Sequence, residues 1–220
     1  MIWIVMIAVR VLSMLIQARL KSRFEKYSEV PTGLSGAEVA QRMLQAHGIY
    51  DVNIVSVEGT LTDHYNPQTK TVNLSHDVYY GRSVAAAAVA AHECGHVVQH
   101  ATGYGPLKLH TAMVPVLTFT NSWISWILLA GLIFVNVFPG LLWIGIGLFA
   151  LSTLFSFVTL PVEMNASARA VQWLDSAGVV SYETKPMAQD ALKWAAYTYV
   201  IAAIGSLATL LYYISIARRR

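Results

Sequence analysis

The sequence predicts a mainly α-helical, multi-pass membrane protein of about four transmembrane helices, with a small α+β part carried among them. Three observations predict this class. Of the 220 residues, 55% are hydrophobic and only 12% charged, about half the charged share of an ordinary soluble domain. The mean hydropathy is +0.50, and the apolar residues come in blocks. One stretch, Ser28 to about Tyr80, has soluble composition instead. The net charge is only +3, and no basic tract interleaved with aromatics marks a nucleic-acid surface. The expected partner is the lipid bilayer, with no nucleic acid.

Residues 1–16 read as a membrane anchor, apolar apart from Arg10 and Ser13. The run is short for a span of about 20 residues. Basic residues follow it rather than precede it, so it reads as a retained anchor and not a cleaved leader. Arg10 near its centre is costly in lipid and is expected to face another helix or a polar cavity. Arg19, Lys21, Arg23 and Lys26 form a basic collar that marks the cytoplasmic side.

Residues 17–110 form the expected soluble or interfacial part. Ser35 and Glu38 make a capping box, and Gly48 ends the helix that it opens. Val52 to Val57 reads as a strand, and a turn at Asn66-Pro67 separates Leu61–Tyr65 from Lys70–Ser75. Ser83 caps a helix over 84–101, with Gly103 as its stop.

Residues 114–160 hold two uncharged apolar runs, joined around Pro139, which predict a transmembrane hairpin. A helix over 161–178 comes directly off the second run. Residues 184–216 start as a polar helix and become the last span, and 217–220 is a basic tail. Four spans would put 17–113 and 161–194 on one side of the cell membrane. Eight flanking Lys and Arg make that side cytoplasmic by the positive-inside rule. The C-terminal Arg218, Arg219 and Arg220 argue the other way.

The helix over 84–101 contains His92-Glu93-Cys94-Gly95-His96. Residues four apart share a helix face, so His92 and His96 can point at one ion. Glu93 sits beside that ion, where it can take a proton from water. This is the His-Glu-x-x-His pattern of zinc metallopeptidases. With seven His and seven Glu in the chain, chance placement gives roughly 0.007 matches. Cys94 is the single cysteine. It lies about 200° around the helix from His92, and reads as a small buried residue rather than a ligand.

A catalytic zinc takes three protein ligands and keeps a fourth position open. His100 lies about 12 Å along the helix from His92, too far to share an ion. His64, His76 and His110 stay open on spacing alone. Glu163 is the stronger candidate, as the only acid between Glu93 and Asp175. A lone acid at a membrane boundary needs a partner, and a metal is a good one. The plain alternative is a helix-start acid favouring the macrodipole.

The stretches Asp63-His-Tyr-Asn-Pro67, Val72-Asn-Leu-Ser75, Ala88 to Gln99 and Leu160-Pro-Val-Glu-Met-Asn-Ala-Ser167 carry a family resemblance over nearly the whole chain. It resembles the membrane gluzincins of the HtpX and Ste24 type, and more closely is similar to the neutral zinc metallopeptidases of the YugP type. The resemblance implies one catalytic zinc held by His92, His96 and Glu163, with Glu93 as general base. It implies that the α+β part is gluzincin-like, and a membrane-bound endopeptidase acting on polypeptides, membrane proteins among them. Many gluzincins place an Asp four residues after the third ligand to orient a histidine. Here that position is Ser167, with Asn165 nearby, so the outer shell departs from the wider pattern.

Tyr65, His76 and Arg169 are candidates to stabilise the transition state. Val72 to Ser75 is expected either as an edge strand pairing an extended substrate or as an ordinary strand. Two other functions compete with this reading. A non-catalytic membrane scaffold or chaperone with a retained metal site has no use for Glu93. An intramembrane protease of the site-2 kind would need an Asp from a second span, and the spans after His110 contain none.

Overall fold

The computed structural model describes residues 2–218. They form α1 (Ile2–Ser28), α2 (Gly36–Ala46), β1 (Asn53–Val57), β2 (His64–Asn66), β3 (Thr71–Ser75), α3 (His76–Tyr79), α4 (Val84–Ala101), α5 (Gly105–Ile133), α6 (Pro139–Ser176) and α7 (Lys185–Ala217). The chain divides into two compact units. One comprises 2–15, 105–161 and 198–218 of the described residues, and the other 16–104 and 162–197.

In the first unit, α5 and α6 pack as a hairpin around Ile124, Leu128, Leu142 and Ile146. Gly131 permits the approach: a Cβ there would stand 2.7 Å from the Leu142 Cα. Hydroxyls on these helices bond back to their own backbone, as Thr118 does to the Val114 carbonyl at 2.9 Å. Such local pairing satisfies polar groups where water is absent.

Three described helices, not four, are long and apolar enough to cross a membrane: α5, α6 and α7. The expected fourth span fails on α1. Its apolar run ends near Ile16, and Arg19, Lys21, Arg23, Glu25 and Lys26 fill its second half. Fifteen helical residues reach about 22 Å, short of a hydrocarbon core of about 30 Å. Arg10 is exposed on α1, so the expected packing of its side chain against a helix or cavity is not found.

In the second unit, α2 opens on the Ser35–Glu38 capping box, with both reciprocal bonds formed. Its Val39, Ala40, Met43 and Leu44 are buried against the alanine-rich α4. Cys94 is fully buried there, its Sγ 3.7 Å from the Ala40 carbonyl. The sheet order is β1-β3-β2. β3 runs parallel to β1 and antiparallel to β2, with Tyr65 opposite Val72. Val72 to Ser75 is therefore the central strand, and its expected role as an edge that pairs substrate is overturned. β1 pairs with it along its whole length, and on the other side β2 pairs with Thr71 to Asn73, which makes β2 the outer strand there. The Asn66 side chain accepts from the backbone of Gln68 and Thr69 to shape the β2–β3 turn. Asp63 accepts from the Ser75 backbone at 2.7 Å, tying the approach to β2 onto the end of β3.

Candidate metal centre

Two helices bring the centre together. On α4, His92 and His96 stand one turn apart with ring centroids at 4.8 Å and planes crossed at 83°. On α6 the helix runs without a break through Pro161, so Glu163 sits one turn beyond the apolar run of that helix. Proline lacks an N–H donor and its ring crowds the carbonyl four residues back, yet α6 continues through it. Glu163 Oε2 lies 3.2 Å from His92 Nε2 and 3.7 Å from His96 Nε2. These three residues each offer a ligand atom within 4.8 Å of the other two.

The registry of the two helices depends on Gly95. A Cβ at that position would stand 2.6 Å from the Ala166 carbonyl oxygen and 3.0 Å from the Ala166 Cα. The backbones of α4 and α6 touch because both residues are small. Glu163 precedes Ala166 by one turn, so this contact sets its height against the two histidines.

Each histidine has a second partner. The Nδ1 of His92 is 3.1 Å from the Ser167 hydroxyl. The Nδ1 of His96 is 3.1 Å from Oε1 of Gln99. Gln99 is fully buried and donates from Nε2 to the Val162 carbonyl at 2.7 Å and to Asn165 Oδ1 at 3.0 Å. Arg169 Nε donates to the same Asn165 oxygen at 2.8 Å. Occupied Nδ1 atoms leave both Nε2 atoms turned toward Glu163, which is how metal-binding imidazoles are oriented.

The donor set fits a divalent ion. Glu163 Oε2 is buried yet accepts no hydrogen bond, although both imidazoles are near. A buried carboxylate oxygen without a donor is costly. An ion at the common focus of the three donors supplies what that oxygen lacks. Two imidazole nitrogens and one carboxylate are the three protein donors of a catalytic zinc.

Charge in the centre is uneven. Burial raises the proton affinity of Glu93, whose residue is only 8% exposed, and the two imidazoles partly oppose this. For His96, burial works against the charged form. The adjacent Glu163 and Glu93 carboxylates outweigh it and bring the metal-free ring up to about 9.

The other sequence candidates lie elsewhere or in supporting roles. Ser167, Asn165 and Arg169 join the centre through the bonds above. Arg169 braces Asn165. Tyr65 donates or accepts at His100 Nδ1, 2.9 Å away. The His76 side chain is 71% exposed, beside Asp77. His64 bonds the Thr62 carbonyl, and His110 stacks on Phe155. Sequence reasoning missed Gln99. Its signal was faint: an amide three residues after His96, in an otherwise apolar turn.

Residues 2–218 match the family described as "Putative neutral zinc metallopeptidase". The chain belongs to that family. It is 44% identical over 207 residues to the "Putative membrane protease YugP" of Bacillus subtilis (strain 168), covering 93% of this chain and 91% of that protein. No solved structure matches it. Family membership and the three apolar helices together make this a membrane protein of a zinc-peptidase family.

Proposed function

We propose that this chain is a membrane-bound endopeptidase with one catalytic zinc, held by His92, His96 and Glu163, and with Glu93 as general base. The observation that carries the reading is the buried, donor-less Glu163 Oε2 facing two imidazole nitrogens, with a buried Glu93 beside them. A scaffold needs the three ligands but not the fourth residue.

A zinc ion in this position supplies Lewis acidity at its open coordination site. The protein residues do the rest. With the Nδ1 atoms of His92 and His96 engaged by Ser167 and by Gln99 Oε1, both Nε2 atoms are left to bind an ion. Glu93 takes the proton from the attacking water as its oxygen bonds to the peptide carbonyl carbon. It then passes that proton to the amide nitrogen as the C–N bond breaks. Its raised proton affinity suits a group that must hold a proton between those two moments. The outer edge of β2, rather than β3, is the strand that an extended substrate would pair with.

We place this unit on the cytoplasmic side of the cell membrane. The basic collar at 19–26 with Lys108, Arg169, Lys185 and Lys193 outnumbers the three C-terminal arginines.

The test is cleavage of an unfolded reporter protein in detergent by the native chain and by Glu93→Gln, with zinc measured on both. The reading requires that the native chain cleaves and that the variant holds zinc without cleaving. Zinc on both and cleavage by neither would favour the scaffold. No zinc on either would remove the centre itself.

A further inference from the structure

His92, His96 and His100 follow one another at four-residue steps along α4, so His100 lies one turn beyond the centre, on nearly the same face. Spacing excludes it as a ligand of the same ion. The structure gives it a different partner. The Tyr65 hydroxyl is 2.9 Å from His100 Nδ1, with the two rings 5.9 Å apart and tilted. Tyr65 sits in the middle of β2, the outer strand of the sheet. The bond therefore ties the helix that carries the centre to the outer strand of the sheet.

Three features distinguish this pair from a surface contact. Tyr65 packs against the core of the unit, so its hydroxyl is aimed by a held ring. His100 is exposed, so its other nitrogen is accessible. In the tautomer in which Nδ1 accepts from the Tyr65 hydroxyl, the ring carries its proton on Nε2 and presents one N–H donor. The four residues from His96 to His100 advance about 6 Å along the helix, and an extended chain advances about 3.3 Å per residue. For an extended substrate running along α4, such a donor lies about two residues from the bond being cut.

We infer that His100, held by Tyr65, is a substrate-positioning residue that donates from Nε2 to a main-chain carbonyl of an extended polypeptide, about two residues from the scissile bond. The inference rests on the peptidase reading above. A main-chain contact of this kind recognises chain extension and not side-chain identity. It fits an enzyme that takes unfolded or locally extended segments.

The experiment uses the full chain in detergent and a fluorescein-labelled decapeptide that the native chain cuts. It also uses shortened forms ending one residue from the cut on either side. Cleavage is measured for native, His100→Ala, His100→Gln and Tyr65→Phe. Binding of the decapeptide is measured by anisotropy in a Glu93→Gln background, with zinc content checked throughout. Losing one such hydrogen bond is worth about a tenfold change. His100→Ala should raise KM and Kd for the decapeptide about tenfold, with kcat within about twofold. It should leave one of the two shortened peptides unaffected. His100→Gln, which keeps an N–H donor, should recover most of the loss, and Tyr65→Phe should fall between. Equal effects on all peptides, or a change in melting temperature alone, would overturn the inference, since that is what a merely structural helix-end histidine does. If the native, zinc-loaded chain cuts no peptide, the peptidase reading fails and this inference falls with it. Native cleavage with no length-dependent effect overturns the inference alone.

Discussion

Gly95 and Ala166 meet backbone to backbone, and a single added methyl at Gly95 would lie 2.6 Å from the Ala166 carbonyl oxygen. The glycine inside the His-Glu-x-x-His motif thus decides how close α6 can come, and with it where Glu163 stands. Gly95→Ala must push two helices apart, since the obstacle is backbone rather than a flexible side-chain tip. Overpacking of this kind costs about 1–3 kcal/mol. The expected result is a folded but less stable chain whose zinc affinity falls at least about tenfold. Isothermal titration with zinc, alongside a melting curve, checks it.

Gln99 links His96 to the backbone of α6 at Val162 and to Asn165. Gln99→Leu keeps the volume but leaves His96 Nδ1 unpaired in a buried place and removes the second donor to the Val162 carbonyl. Losing an outer-shell partner typically costs 10–100-fold in metal affinity or activity, on the order of 1–3 kcal/mol. Ser167→Ala should cost less, because Ser167 is half-exposed and water can replace its hydroxyl. Competition against a zinc-chelating dye would rank the two, and the reverse order would refute the assignment.

In the metal-free protein, His96 holds its proton up to about 9. Zinc needs the neutral imidazole. Below that pH the ion must displace a proton, so apparent zinc affinity falls as pH falls, roughly tenfold per pH unit from this residue. Above about 9 the effect is gone. Dye competition across pH 6 to 9 should show the rise, with release of at least one proton per zinc at pH 7. A flat profile would contradict the carboxylate environment described for His96.

Cys94 is the single cysteine, fully buried against α2. Burial raises its thiol above the ordinary range, so the folded chain should be almost silent to maleimides. That makes a clean background for locating the peptidase unit. Tyr182 is 95% exposed, and Tyr182→Cys should react readily once reached. A membrane-impermeant maleimide should label it in inverted membrane vesicles and not in whole cells. Labelling in whole cells would put the centre outside.

Local structure around the centre was legible in the sequence. The helix over 84–101, its Ser83 cap and the shared face of His92 and His96 all follow from backbone periodicity and nearby side chains. The capping box at Ser35 is local in the same sense. The expectation of four spans read the apolar residues of α1 correctly but gave them more reach than fifteen residues have. The strand at 71–75 was recognised, but its place in the sheet was not. An edge and a centre strand carry the same alternation, and only partners distant in the chain distinguish them.

The sequence by itself determined that two histidines and one glutamate share a helix, because an α-helix sets neighbours four residues apart with no help from the rest of the chain. Only the tertiary structure decided that Glu163 faces them. The same packing made Gln99 and Ser167 the groups that orient the rings, and put β2 rather than β3 at the open edge. Those relations span tens of residues and depend on two helices closing to backbone contact at Gly95 and Ala166. No local periodicity encodes that contact, since a glycine and an alanine announce small size but not the partner that fills the space.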